Sequence, residues 1–284
     1  VPDAARPCAL SVAGLDPSGG AGFLADVKAF HAAGAWGCAV AAVLTVQSTA
    51  GLASVHPIDS SLVRAQAERI FLHQRIRAWK TGALGSTENV ALAAALSEGH
   101  PSAPLVVDPV IVATRTDGGA RLLDDRALAA MRALVARSTL VTPNVDEAEA
   151  LLGARVATVE DAREAAQALV AMGARAALVK GGHLTGPTAI DVLATRSGVQ
   201  LIEAPRVAME GDFHGGGCTL SALITGRLAL REGALDDEQL AAAVRWSKER
   251  LSRAIAASVR VGEGLRVLSL DASAEVVAPG VAGG

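Results

Sequence analysis

Short apolar runs alternate along the chain with longer segments in which apolar residues recur every three or four positions, and the two patterns predict strands and helices in turn. Cys8 to Ala13 is the first run; it stops at Gly14 and reads as a buried strand, and Phe23 to Ala33 follows with helical spacing. Gly37 to Gln47 is a second apolar segment, ending in Gln47-Ser48-Thr49. Ser60 to Gln74 reads as a helix, Ile76 to Ala83 as a short strand carrying Lys80, and Thr87 to Gly99 as another helix. Leu105 to Asp108 and Thr139 to Thr142 are strands, with the helical segment Leu128 to Arg137 between them. Val145 to Leu152 and Asp161 to Met172 are helical, and Ala176 to Val179 is a strand. Ala189 to Thr195 and Val199 to Glu203, joined across Arg196-Ser197-Gly198, have the pattern of a β-hairpin. Leu220 to Leu230 and Asp237 to Val259 complete the helices, and Ser273 to Gly284 reads as a loose tail. No internal repeat or linker interrupts the series, so residues 1–270 are expected to form one domain and residues 271–284 a flexible tail.

This alternation implies an α/β fold with a mainly parallel central sheet and helices on both faces. Such sheets bind ligands at the carboxyl ends of their strands, and the unusual residues of this chain fall there. Gly14 to Gly22 is a glycine-rich loop between strand and helix, without the GK[ST] ending of a Walker loop and without GxGxxG. Gln47 offers a donor and an acceptor, which suits either a heterocycle with an amino group beside a ring nitrogen or, equally, a solvated loop position. Asp108 ends a strand, where it serves either as a turn former or as a water-mediated magnesium ligand. Asn144 and Glu147 have capping-box spacing. Lys180 is followed by Gly181-Gly182-His183.

The stretch His214 to Ala222, HGGGCTLSA, carries the sharpest signal. Gly215, Gly216 and Gly217 lead into a helix and expose backbone N–H groups with no Cβ in the way, which makes an anion site. The same field favours a thiolate at Cys218; the alternative is a glycine-rich turn ahead of a buried cysteine. A lysine, a helix N-terminus and carboxylates able to position Mg²⁺ are the parts that phosphoryl transfer uses.

Composition removes other classes. With 51% hydrophobic residues the chain has ample material for a core, while its longest strongly apolar stretch, Ala35 to Val46, is too short to span a bilayer. A net charge of −3 and no long basic run give no reason to expect nucleic acid. Cys8, Cys38 and Cys218 are far apart and form no CxxC, and the six histidines form no HxxxH pair. Neither a disulfide framework nor a dedicated transition-metal site is expected. No signal-peptide pattern opens the sequence, and the cytoplasm is the expected compartment. Aromatic residues are only 2%, so a bound heterocycle is expected to lie between aliphatic and backbone surfaces.

Together the motifs resemble those of the bacterial hydroxymethylpyrimidine/phosphomethylpyrimidine kinases of thiamine synthesis, members of the ribokinase-like superfamily. They are G-x-DPSGGAG at Gly14 to Gly22 with Asp26 downstream, the Gln47 region, DPV at Asp108, TPN-x-x-E at Thr142 to Glu147, KGGH at Lys180 and HG-x-GCTLSA at His214 to Ala222. The resemblance, which runs from Ala9 to about Gly264, implies ATP, Mg²⁺ and two successive phosphorylations of one pyrimidine, and a homodimer. It assigns Cys218 and Lys180 to catalysis and the N–H groups of Gly215 to Cys218 to the anion hole. Gly14, Asp26, Gln47, Ala83 and Val110 match positions around the pyrimidine. Asp108, Asn144 and Glu147 match positions near ATP and the metal, with Mg²⁺ near Asp108 and Glu147 and no site built from protein ligands alone. The chain departs from the pattern in having GGGC in place of GTGC, Ser48 in place of Asn, and Ala83 where methionine is common, which leaves a roomier pocket. Pyridoxal kinases share these motifs, so a vitamin B6 kinase is the alternative. A non-catalytic pyrimidine-binding protein is a third reading, with Gly216 in its favour and the retained Cys218, Lys180 and Glu147 against it.

Overall fold

The computed structural model describes residues 6–111, 125–182, 188–208 and 211–270. In chain order the first half comprises β1 (Cys8–Leu15), α1 (Gly22–Ala32), β2 (Trp36–Ser48), β3 (Gly51–Pro57), α2 (Ser60–His73), β4 (Ile76–Thr81), α3 (Thr87–Gly99) and β5 (Leu105–Val107). The second half comprises α4 (Asp125–Val135), β6 (Leu140–Val141), α5 (Val145–Leu152), α6 (Val159–Ala171), β7 (Ala176–Val179), β8 (Thr188–Thr195), β9 (Gly198–Pro205), β10 (Phe213–His214), α7 (Gly216–Ala229), α8 (Asp237–Ala256) and β11 (Arg266–Val267). The proposed tail from Ser273, and His183 of the KGGH motif, lie outside the described residues.

Nine strands form one sheet in the order β3-β2-β1-β4-β5-β6-β7-β8-β9. Every pairing from β2 across to β7 is parallel, while β3 at one edge and β8 and β9 at the other pair antiparallel. The chain winds outward from β1 to β2 and then returns to β4 on the other side of β1. That reversal makes a switch point beside β1, and sheets of this kind bind ligands outside the carboxyl ends of the strands flanking it, here β1 and β4.

Alternation along the strands sends side chains to two cores. On β1 and β4, Leu10, Val12 and Trp79 face the layer formed by α2 to α6, whereas Ala9 and Ala78 face α1, α7 and α8. Helix α7 is buried on almost every side because it lies between α1, α8 and the sheet, which accounts for its lack of a polar face. A Cβ on Gly226 would come within 2.7 Å of the Ala33 Cβ, so this glycine sets the close approach of α1 and α7. Helix α8 is amphipathic, burying Leu240, Val244, Ser247, Leu251 and Ala254 on one face, and a capping box between Asp236 and Gln239 starts it.

Two elements differ from the sequence pattern. Strand β3 is not predicted, because its residues are mostly solvated on both faces and only pairing with β2 holds them extended. Helix α7 begins at Gly216 and not near Leu220, so the glycines form its cap and first turn. Among the described residues no helix is long and apolar enough to cross a membrane.

Candidate active site

The loop after β1 and the start of α7 are fitted to each other by glycines. Gly22 and Gly215 have φ of 59° and 84°, and a Cβ on them would lie 2.3 Å from the Gly14 carbonyl oxygen and 1.9 Å from that of Gly20. Only glycine permits both the conformation and the contact. Gly215 is the N-cap of α7 and supplies no side-chain cap, so the first-turn N–H groups of Gly216, Gly217 and Cys218 have no intrahelical acceptor. Those donors lie at the positive end of the helix, where the triple glycine leads one to expect an anion site.

Three charged side chains meet across from that turn. Lys180 Nζ lies 3.1 Å from Asp108 Oδ1 and 3.9 Å from Glu147 Oε2, and only 3.1 Å from where a Gly217 Cβ would stand. Asp108 also accepts from Ser221 Oγ of α7 at 3.1 Å and from Thr142 Oγ1 at 3.3 Å. Glu147 Oε2 accepts from the Asn144 N–H while Asn144 Oδ1 accepts from the Glu147 N–H, so the capping box is real and fixes the glutamate at the start of α5. Burial opposes the charge of Lys180, but Asp108 and Glu147 outweigh it and hold the ammonium above its ordinary value. Asp108 is pulled below its ordinary value in spite of burial, by Lys180 and Lys80. Glu147 is pushed up to about 7 by burial, against Lys180 and with Asp108 adding to the rise.

Cys218 faces the same group of charges. Burial pushes its thiol up to about 12; Lys80 and the Gly22 N–H work in the opposite direction, and Asp108 and Asp26 reinforce the rise. Without a ligand, desolvation outweighs Lys80 and the Gly22 N–H, so the thiol is the favoured form at neutral pH. All three cysteines are free.

The residues assigned to the pyrimidine separate into four groups. Gly14 and Ala83 come together at the switch point, where a Gly14 Cβ would be 3.5 Å from the Ala83 Cβ and 3.4 Å from that of Val43. Val110 is half-buried in the turn after β5, its N–H bonded to the Asp108 carbonyl. Gln47 closes the far side: its Nε2 is 3.1 Å from His214 Nε2, which lies 2.9 Å from Asp16 Oδ2. Asp26 is not at this surface, a correction to its expected role. It is wholly buried, accepting from Ser11 Oγ at 2.6 Å and Lys80 Nζ at 2.9 Å.

Lys80 is the participant that sequence reasoning overlooks. A lysine in a strand of otherwise buried residues is a signal in itself, since a buried ammonium requires a partner. Farther out, Asp191 of β8 accepts from the Gly181 N–H at 3.0 Å and pairs with Lys248 of α8 at 2.6 Å, which anchors the turn after Lys180. Asp108 and Glu147, flanking Lys180, fit the way magnesium is commonly bound, through one or two carboxylates with phosphate and water oxygens completing the shell.

The chain resembles named proteins over nearly its whole length. The chain is 41% identical over 261 residues to the hydroxymethylpyrimidine/phosphomethylpyrimidine kinase of Escherichia coli, covering 90% of this chain and 94% of that one. It superposes on the phosphomethylpyrimidine kinase of Clostridium difficile with a TM-score of 0.74 at 31% identity, covering 88% of this chain and all of the other. An ADP complex of the pyridoxal kinase of Bacillus subtilis gives a TM-score of 0.82 at 30% identity, over 93% and 97% of the two chains. The α/β arrangement is therefore the ribokinase-like one that the motifs imply. Residues 16–269 match the phosphomethylpyrimidine kinase family, and with a relative this similar over nearly its whole length the chain belongs to that family.

Proposed function

We propose that the chain is an ATP- and Mg²⁺-dependent kinase of thiamine synthesis. It phosphorylates 4-amino-5-hydroxymethyl-2-methylpyrimidine and then converts the monophosphate to the diphosphate. The observation that carries this reading is the placement of Lys180, with Asp108 and Glu147, against the unpaired N–H groups that open α7, with Cys218 in the same turn. The ADP-bound relative supports use of ATP, and membership of the kinase family supports phosphoryl transfer.

In this reading the pyrimidine lies over Gly14 and Ala83 with its amino edge against Gln47, and its hydroxymethyl oxygen approaches the γ-phosphorus in line. That oxygen forms the new P–O bond while the bond from the γ-phosphorus to the ADP oxygen breaks. The hydroxyl proton passes to the Cys218 sulfur in its thiolate form, the minor form in the free site, which Lys80 and the Gly22 N–H favour. The N–H groups of Gly216, Gly217 and Cys218, with Lys180, receive the charge on the transferring group. Magnesium held beside Asp108 and Glu147 would neutralise phosphate charge. In the second step the nucleophile is a phosphate oxygen that is already ionised, so the base matters less. The reading includes a homodimer, supported by the exposed Leu44 and Val46 on β2 beside the edge strand β3.

The test is ATP-dependent turnover of hydroxymethylpyrimidine, its monophosphate and pyridoxal, side by side, with and without Mg²⁺. Turnover of both pyrimidines with kcat/KM well above that for pyridoxal is expected. A preference for pyridoxal would instead identify a vitamin B6 kinase and turn attention to the small Ala83. No turnover of any of the three would leave a binding protein.

A further inference from the structure

Two hydrogen-bond conflicts meet at Gln47, and one rotation removes both. Asp16 is surrounded by donors: Ser18 N–H and Oγ–H at 2.9 and 2.7 Å on Oδ1, and Ala21 N–H at 2.9 Å on Oδ2. Burial would raise its pKa, but His214 and Ser18 outweigh that and hold the carboxyl down at about 2. An ionised carboxylate only accepts, so His214 Nε2, 2.9 Å from Oδ2, carries a hydrogen. That nitrogen cannot also accept from the Gln47 amide nitrogen 3.1 Å away. On the other side, Thr45 Oγ1 donates its single hydrogen to the Leu15 carbonyl at 2.7 Å and has none for Gln47 Oε1 at 3.3 Å. Exchanging the amide oxygen and nitrogen, which are nearly isosteric, replaces the donor–donor clash with a three-centre bond, the single His214 Nε2 hydrogen shared between Asp16 Oδ2 and Gln47 Oε1, and lets Nε2 donate to Thr45.

We propose that Asp16 and His214 are positioning residues that hold the Gln47 amide in this one orientation and thereby select the substrate's ring edge. The proposal rests on the pyrimidine reading above. One acceptor site on Oε1 and one hydrogen on Nε2 remain, which complement an exocyclic amino donor beside a ring-nitrogen acceptor. A 4-oxo ring presents the reverse, a carbonyl acceptor beside a ring N–H, and requires the amide to turn over. With His214 and Asp16 in place that turn restores both conflicts.

The test compares kcat/KM for the 4-amino substrate and its 4-oxo analogue, at saturating ATP, in the wild type, His214→Phe and His214→Gln. Phenylalanine keeps the ring that packs on Gly20 but removes the donor, and glutamine restores an N–H. The wild type is expected to prefer the amino ring by about 10²-fold or more, since a site that leaves buried polar groups unpaired rejects a mismatch strongly. His214→Phe is expected to narrow that ratio by at least about tenfold with KM for ATP within about twofold, and His214→Gln to recover it. Thr45→Val, which removes the partner of Nε2, should narrow the ratio independently and serves if His214→Phe fails to fold. An unchanged ratio in a folded variant, with both rings weakened alike, overturns the proposal. Wild-type enzyme that phosphorylates neither pyrimidine overturns the substrate reading and this selection with it.

Discussion

Lys80 Nζ lies 2.9 Å from Asp26 Oδ1, and neither side chain has any contact with solvent. Ser11 takes the second carboxylate oxygen, so the pair is hydrogen-bonded as well as charged. Burial works against the ammonium, and the carboxylate outweighs it, so Lys80 stays above its ordinary value. Removing one partner strands the other in the core. Lys80→Met is expected to cost about 3–5 kcal/mol in urea unfolding. Lys80→Met with Asp26→Leu should cost much less than the sum of the single changes. Additive losses would mean that the two charges do not depend on each other.

The Cys218 thiol, at about 12 in the free site, gives two linked expectations. Its alkylation by iodoacetamide, followed by peptide mass spectrometry, should rise about tenfold per pH unit from 7 to 10 with no plateau. The first phosphorylation should rise with pH over the neutral range, and Cys218→Ala should lower it by roughly 10²- to 10⁴-fold while affecting the second step less. An unchanged first step in Cys218→Ala removes the residue from the proton's path.

Glu147, pushed up to about 7 from an ordinary 4.5, keeps its proton in the folded protein over a range where the unfolded chain has lost it. Stability from this group is therefore lost as pH climbs between those values, and the penalty is complete above 7. Glu147→Gln, which retains an oxygen for the Asn144 N–H, should match the wild type near pH 4.5 and exceed it by roughly 1–3 kcal/mol at pH 8. Thermal melting at the two pH values measures the difference.

A Cβ on Gly216 would come within 2.7 Å of Phe213 Cε2. Gly216→Thr, which restores the family's usual residue, should therefore destabilise this chain by about 1–3 kcal/mol through overpacking. Phe213→Ala should relieve that cost in the double variant. A stable single Gly216→Thr would show that the ring swings aside freely.

The pair of Lys248 and Asp191 holds the Gly181 N–H and through it the turn that carries Lys180. Lys248→Met should raise KM for ATP by about tenfold and leave KM for the pyrimidine within about twofold. Equal changes in both constants would point to a general loss of structure.

The ends of α3, α5 and β7 coincide with the pattern of apolar residues, because each has its own local signals: Ser86, Asn144 and Gly153 as caps, and a closed run of buried alanine, leucine and valine. The candidate ligand edge stands out in the sequence for the same reason, since Gly14, Gln47, Asp108, Asn144 and Lys180 each interrupt a strand end. What escaped depends on contacts distant in sequence. Glycine disfavours helix, yet Gly216 and Gly217 are helical because tertiary packing places them at the cap of α7. Strand β3 exists through its pairing with β2. Asp26 shows an acidic residue on a helix with nothing to mark its inward face, and only Lys80, 54 positions later, explains its burial. The Asp16 and His214 contact spans 198 positions and has no local signature.

Strand β1 sits in the middle of the sheet, and α7 and α8, which cover its Ala9 face with α1, come from the last quarter of the chain. A polypeptide emerging from the ribosome therefore carries an apolar sheet face that α1 alone covers in part until about residue 256 has been made. Early strands pair long before their covering helices arrive, and the growing chain is sticky throughout that interval. Pulse-labelled nascent chains stalled before Gly216 should bind chaperones that full-length chains released from the ribosome do not.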